Sequence, residues 1–233
     1  MSKEILVVGG SSGVGLETVK LLSDLGDTVH AASRHENELQ QSEQVTFQTH
    51  DVTDPESKLD LPEKLDGLIY CPGTILLKPF HQFSDAEIQH DLEVNYLGAI
   101  RTIRSALGSL KRAEAAAIVL FSTVAVQTGL PFHSSISGAK GAVEGLTRAL
   151  AAELSPKIRV NCLALSLTDT PLASKLLSSD EKRRASEERH PLKRIGSSKE
   201  VAKAAAFLLG GDSGFITGQV LQIDGGISSL KLL

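Results

Sequence analysis

Seven consecutive residues near the amino terminus, Gly9-Gly10-Ser11-Ser12-Gly13-Val14-Gly15, carry the clearest chemical signal in this sequence. A continuously apolar run, Ile5-Leu6-Val7-Val8, precedes them. Val14, Val19, Leu21, Leu22 and Leu25 follow at helical spacing. Glycine permits backbone conformations and close approaches that a Cβ forbids. A helix N-terminus adds unpaired N–H groups and the positive end of a dipole, which together suit a pyrophosphate. A glycine cluster also serves a tight turn; its place between a strand and a helix points to a dinucleotide. Ser33-Arg34 closes the next apolar run. A carboxylate there would hold a ribose 2′-hydroxyl and repel a 2′-phosphate, whereas a guanidinium pairs with phosphate. NADP(H) is therefore expected over NAD(H), with an ordinary surface arginine as the plain alternative.

The elements that would position these groups alternate along the chain. Strands are predicted at Ile5–Val8, Thr28–Ala32, Val45–Thr49, Gly67–Tyr70, Ala116–Phe121, Ile158–Ala164 and Gln219–Ile223. A helix ending at Gly26 follows the glycine run, and long helices are predicted over Asp85–Leu110 and Ser135–Leu154. The fold class is thus α/β, a doubly wound parallel sheet of about seven strands with helices on both faces. No composition break or linker divides the chain, so residues 1–233 read as a single domain. Pro171–Arg194 is charged and helix-prone; it reads as a solvated surface helix or as a mobile lid over a site at the strand ends.

Composition bounds the function. The 233 residues are 41% hydrophobic and 22% charged with a net charge of −4, which argues against nucleic acid or an anionic membrane as the main partner. An uncharged stretch from Ile118 to Ala139 contains Gly129, Pro131, His133 and several hydroxyls, unlike a membrane span. Cys71 and Cys162 are far apart and lack metal-ligand spacing, so no metal is expected. With no signal-peptide layout at the start, a reducing cytoplasm is the expected location.

The ordered motifs resemble those of the short-chain dehydrogenase/reductase family. Gly9, Gly13 and Gly15 match its three glycines, with Val8 in place of the leading Thr; Asp51-Val52 matches its adenine-contacting pair. Tyr70-Cys71-Pro72-Gly73 stands where Asn-Asn-Ala-Gly is usual. Arg159-Val160-Asn161, Thr170-Pro171, Arg194-Ile195-Gly196 and Asp224-Gly225-Gly226 match later signatures over nearly the whole chain. The resemblance implies a Rossmann fold. It implies cofactor contacts at Gly9, Ser11, Ser12, Gly13, Val14, Gly15, Ser33, Arg34, Asp51, Val52, Cys71, Pro72, Gly73, Lys140, Ser166, Thr168 and Thr170. It also implies hydride transfer between a nicotinamide and a small carbonyl or alcohol, and a homodimer or homotetramer built on the two long helices. Leu165-Ser166 replaces the usual Pro-Gly, and the segment between Asp51 and Asp66 is short enough for a loop to replace the usual helix.

Of the catalytic residues the family uses, the resemblance assigns Asn95, Thr123 and Lys140. The expected Tyr, four residues before Lys140, is Ile136, which cannot exchange a proton. A missing general acid usually costs about 10²–10⁴ in rate while leaving hydride-transfer geometry in place. His133 is one substitute to weigh, against a plain loop histidine; Ser135 reads as a helix cap, and Tyr70 and Tyr96 as packing. Three functions are weighed: an oxidoreductase with a degenerate proton relay, a catalytically silent cofactor-binding sensor or oligomer subunit, and a structural partner without cofactor, against which the intact glycines and Arg34 argue.

Overall fold

The computed structural model describes residues 2–231. Seven strands form one parallel sheet: β1 (Glu4–Val8), β2 (Thr28–Ser33), β3 (Val45–Thr49), β4 (Gly67–Tyr70), β5 (Ala116–Thr123), β6 (Ile158–Leu165) and β9 (Val220–Ile223). Their order across the sheet is β3-β2-β1-β4-β5-β6-β9. Two further strands of two residues, β7 (Thr168–Asp169) and β8 (Gly196–Ser197), pair with each other. The helices are α1 (Gly13–Asp24), α2 (Asp85–Leu92), α3 (Gly98–Arg112), α4 (Ala125–Thr128), α5 (Ser134–Leu154), α6 (Asp180–Arg189) and α7 (Ser198–Leu209).

The central strands are apolar on both faces, and alternate residues serve opposite layers. Leu6 and Val8 of β1 join Ile118 and Leu120 of β5 under α3 and α5. Ile5 and Val7 join Val119 and Phe121 under α1 and α7. The strand order reverses between β1 and β4: the chain runs outward through β2 to β3, then returns to the other side of β1 as β4. That crossing leaves a crevice above the strands' C-terminal ends.

Three sequence expectations shift. The helix expected over Asp85–Leu110 is interrupted by a π-turn at Glu93–Leu97 and ends at Arg112. Its cause lies in Asn95, whose Nδ2 donates to the Asp91 carbonyl at 2.8 Å, drawing the side chain into the backbone ladder. β5 and β6 run on to Thr123 and Leu165, which face each other in the last rung. Pro171–Arg194 splits into a 3₁₀ segment, Pro171–Leu177, followed by α6. Between Asp51 and Asp66 there is no helix, as expected from its length.

Gly15 packs against the glycine turn itself: a Cβ there would collide with the Gly9 carbonyl. Neither backbone can yield without moving α1 off β1. Gly15→Ala should therefore destabilise the fold by about 1–3 kcal/mol, seen as a Tm lowered by several degrees in thermal unfolding.

Candidate active site

A cleft of about 750 Å³ opens above the C-terminal ends of β1, β4, β5 and β6. Its floor is the glycine turn, in which Gly9 and Gly13 take φ of 77° and 52°. That turn brings Ser12 to the N-cap of α1 with no side-chain cap bond, so the first N–H groups of the helix face the cleft. At one end, Ser11 is buried and accepts hydrogen bonds from Ser33 Oγ at 2.7 Å and Asn37 Nδ2 at 3.0 Å. Arg34 stands exposed beside them, with no salt-bridge partner among the described residues. Asn37 was missed in the sequence; its αL backbone, φ 51°, is what turns it back toward Ser11. Asp51 accepts from the Thr53 amide at 2.9 Å and its hydroxyl at 2.7 Å. Those two bonds hold its carboxyl below the usual carboxylate range.

The other end gathers Cys71, Pro72, Gly73, Thr123, Ile136 and Lys140 on the cleft wall. Lys140 is 8% exposed, and burial pushes its ammonium down to about 8. Burial likewise pushes the Cys71 thiol up to about 12, leaving it protonated and inert. Ile136 is 5% exposed and presents only hydrocarbon. Gly73 is the close approach here: an added Cβ would lie 3.3 Å from Asn95 Oδ1 and 3.5 Å from Lys140 Nζ.

Asn95 does not line the cleft. It lies behind Gly73, and its Oδ1 is buried without a partner. Its Nδ2 donates to Thr74 Oγ1 at 2.8 Å, and Thr74 Oγ1 donates to the Asp91 carboxylate at 2.6 Å. Asp91 is 1% exposed and also accepts from Ser135 Oγ. The expected helix cap at Ser135 is thus corrected. α5 starts one residue earlier with His133 at its N-cap, and the Ser135 hydroxyl is spent on a buried carboxylate. No charge pattern flagged Asp91, because a lone acid in a polar helix reads as solvent-facing. Tyr70 points away from the cleft, donating to the Val94 carbonyl at 2.6 Å, and Tyr96 packs against the core; both are packing residues, as expected. His133 sits at the cleft mouth with Nδ1 on the Pro131 carbonyl at 2.7 Å.

Val14, Val52, Ser166, Thr168 and Thr170 complete the wall. Leu172, Ala173 and Leu176 of the 3₁₀ segment and Arg189 and His190 at the end of α6 cover it. His190 had no sequence signal. All the positions expected to contact a cofactor therefore converge on one cleft.

The backbone amides of the glycine turn, the unpaired cation at Arg34 and the free donors of Lys140 suit a phosphorylated dinucleotide with a ribose. The orphaned Asn95 Oδ1 marks a further polar contact still to be met. The family model described as Enoyl-(Acyl carrier protein) reductase matches residues 8–228. The chain belongs to the short-chain dehydrogenase/reductase family. Tropinone reductase homolog At2g29290 of Arabidopsis thaliana is 35% identical over 240 residues, covering 96% of this chain and 92% of the relative. The cyclopentanol dehydrogenase of Comamonas testosteroni is 28% identical over 243 residues, covering 97% of both. Among solved structures, ElxO with NADP bound superposes with a TM-score of 0.89 at 27% identity, covering 99% of this chain and 100% of that one. The chain is thus an oxidoreductase of this family.

Burial of Lys140 has a thermodynamic consequence. Its folded value, about 8, lies below the ordinary 10.5. Between those values the unfolded chain binds the proton and the folded chain does not, so stability rises with pH across that window. Below about 8 the full cost of the buried charge remains. Lys140→Met should raise stability at pH 7 by an amount on the order of 3 kcal/mol. The gain should shrink as pH rises from about 8 to 10.5 in denaturant titrations.

Proposed function

We propose that the protein is an NADP(H)-dependent oxidoreductase that transfers hydride between the nicotinamide and a carbonyl or alcohol substrate, through a proton relay lacking a tyrosine. The choice of NADP(H) rests on one observation: the end of β2 carries Ser33 and a free Arg34 guanidinium beside Ser11 and Asn37, and no carboxylate. A 2′-phosphate placed there meets a cation and hydroxyls; a 2′-hydroxyl finds no acceptor of comparable strength. Asp51 and Val52 would flank the adenine, Ser12 to Gly15 would hold the pyrophosphate, and Ser166, Thr168 and Thr170 would border the nicotinamide. Cys71, Pro72 and Gly73 back the ribose.

When bound, the nicotinamide supplies or accepts the hydride. Lys140 would hold the adjoining ribose through its ammonium. Thr123, in the last rung of β5, offers its hydroxyl to the substrate oxygen and so polarises it. Leu172 and Leu176 of Pro171–Leu177 close over the substrate and exclude water. With Ile75, Leu77, Leu130 and Ile136 they make the substrate end apolar, which fits a hydrocarbon-rich ketone or secondary alcohol.

The second reading, a silent cofactor-binding sensor, is favoured by Ile136 alone. The chain would work in either case as a homodimer or homotetramer in the cytoplasm. Gly138 and Gly145 leave open space along α5, where a second helix fits closely. Among the described residues no helix is long and apolar enough to cross a membrane.

Fluorescence titration with NADPH and NADH tests the cofactor assignment. Arg34→Ala should weaken NADPH binding roughly 10- to 100-fold, the worth of a charge-assisted phosphate bond, and leave NADH binding unchanged. Equal loss for both nucleotides, or none, would refute the 2′-phosphate role.

A further inference from the structure

His190 follows the last residue of α6 and is 3% exposed, yet it is a wall residue of the cleft. Both of its ring nitrogens are engaged. Nδ1 lies 2.7 Å from the Ser186 backbone carbonyl. A carbonyl oxygen only accepts, so Nδ1 carries the hydrogen of the neutral ring. Nε2 then presents a lone pair, and 2.8 Å from it stands Ser166 Oγ. With the ring neutral, the serine hydroxyl donates to His190, the polarity of a base set to take a proton from an alcohol oxygen. Gly225 lies alongside the ring: a Cβ built there would be 3.6 Å from His190 Cδ2 and 3.7 Å from its Cβ.

The pair sits where proton transfer is needed. Ser166 follows Leu165, whose rung partner across β5 and β6 is Thr123. Neighbouring strands are about 5 Å apart, so the two hydroxyl-bearing residues crown adjacent strands above one cleft. Ile136 also lines this cleft and has no proton to give. Asp224, at the end of β9, lies within electrostatic range of His190, and Arg189, the last residue of α6, lines the same cleft.

We propose that Ser166 and His190 form the proton relay of this cleft, in place of the phenol that Ile136 cannot supply. The proposal rests on the hydride-transfer reading above. In alcohol oxidation, the substrate O–H proton passes to Ser166 Oγ as the serine's own proton passes to His190 Nε2. The electron pair of the substrate C–H bond leaves with its hydrogen as hydride for the oxidised nicotinamide. The products are the carbonyl, the reduced nucleotide and an imidazolium, which returns to the neutral ring by releasing its Nε2 proton to water. In reduction the order reverses: imidazolium Nε2–H to Ser166, serine proton to the alkoxide oxygen. Ser166 is the catalytic residue that meets the substrate, and His190 is its proton partner.

Two measurements decide it. In ¹⁵N-histidine-labelled protein, the His190 signals are those that vanish in His190→Gln. They should show an Nδ1-protonated neutral ring whose Nε2 shift moves in Ser166→Ala. An Nε2-protonated ring, or a shift indifferent to Ser166→Ala, would overturn the relay. The second measurement is NADPH-dependent reduction of cyclopentanone, cyclohexanone and longer aliphatic ketones. Wild type should reduce at least one. Ser166→Ala and His190→Gln should each lower kcat roughly 100-fold or more, with NADPH affinity of His190→Gln within about threefold of wild type. Adding Ile136→Tyr to Ser166→Ala should recover turnover, and a loss of fold would not be recovered that way. Unchanged kcat in Ser166→Ala overturns the relay even if His190→Gln fails to fold. Wild type that binds NADPH but reduces none of the ketones overturns the relay and leaves the cofactor reading standing. Wild type that binds no NADPH brings down both.

Discussion

The contact of Gly15 with the Gly9 carbonyl governs the architecture of this site. It lets α1 begin almost on top of the end of β1, with no room for even one methyl group between them. Because the helix starts so close, its unpaired amides open onto the crest of the sheet instead of onto solvent. The crevice left by the reversal of strand order then has a floor of backbone donors. Every other wall residue is placed relative to that floor: Arg34 and Ser33 by β2, Cys71 to Gly73 by β4, Thr123 by β5 and Ser166 by β6.

A second constraint is the burial of charge behind the cleft. Lys140 and Asp91 are both almost fully buried, and they form no direct ion pair. Asp91 is satisfied by two hydroxyls, Thr74 and Ser135, from two different segments. Thr74 also receives Asn95, so one carboxylate links the β4 loop, the π-turn and the start of α5. The negative charge lies on the far side of Gly73 from the cleft and acts on Lys140 at a distance, favouring its ammonium form against the pull of burial. Half-satisfied polar groups of this kind are costly in a core.

The sheet was legible because parallel strands covered on both faces are uninterrupted apolar runs, and Ile5–Val8 or Ala116–Phe121 admit few other readings. The glycine turn was legible because only glycine tolerates its geometry. The strand ends were less so: Ser122 and Thr123 look like loop residues, but they extend β5 by two rungs because the Glu144 carboxylate accepts the Ser122 hydroxyl inside the protein. The groups behind the cleft were not legible at all. Asp91 and Ser135 lie in polar helical sequence, where local composition gives no hint that tertiary packing has turned them inward; His190, on the cleft wall, was equally unmarked. Asn95 was found by its resemblance, but its effect on the helix was not, since a π-turn has no periodicity distinct from the α-helix around it.

The short ladder between β7 and β8 joins Thr168–Asp169, just before the covering segment, to Gly196–Ser197, just after it. Both ends of residues 170–195 are therefore stapled at one point, and the capping box of Ser197 with Glu200 anchors the exit into α7. The segment is a cassette plugged into a fixed socket. Apart from Thr170 and His190, its side chains can be exchanged without altering the strands. Evolution can therefore retune what is recognised above the sheet while the glycine turn and Lys140 beneath stay in place.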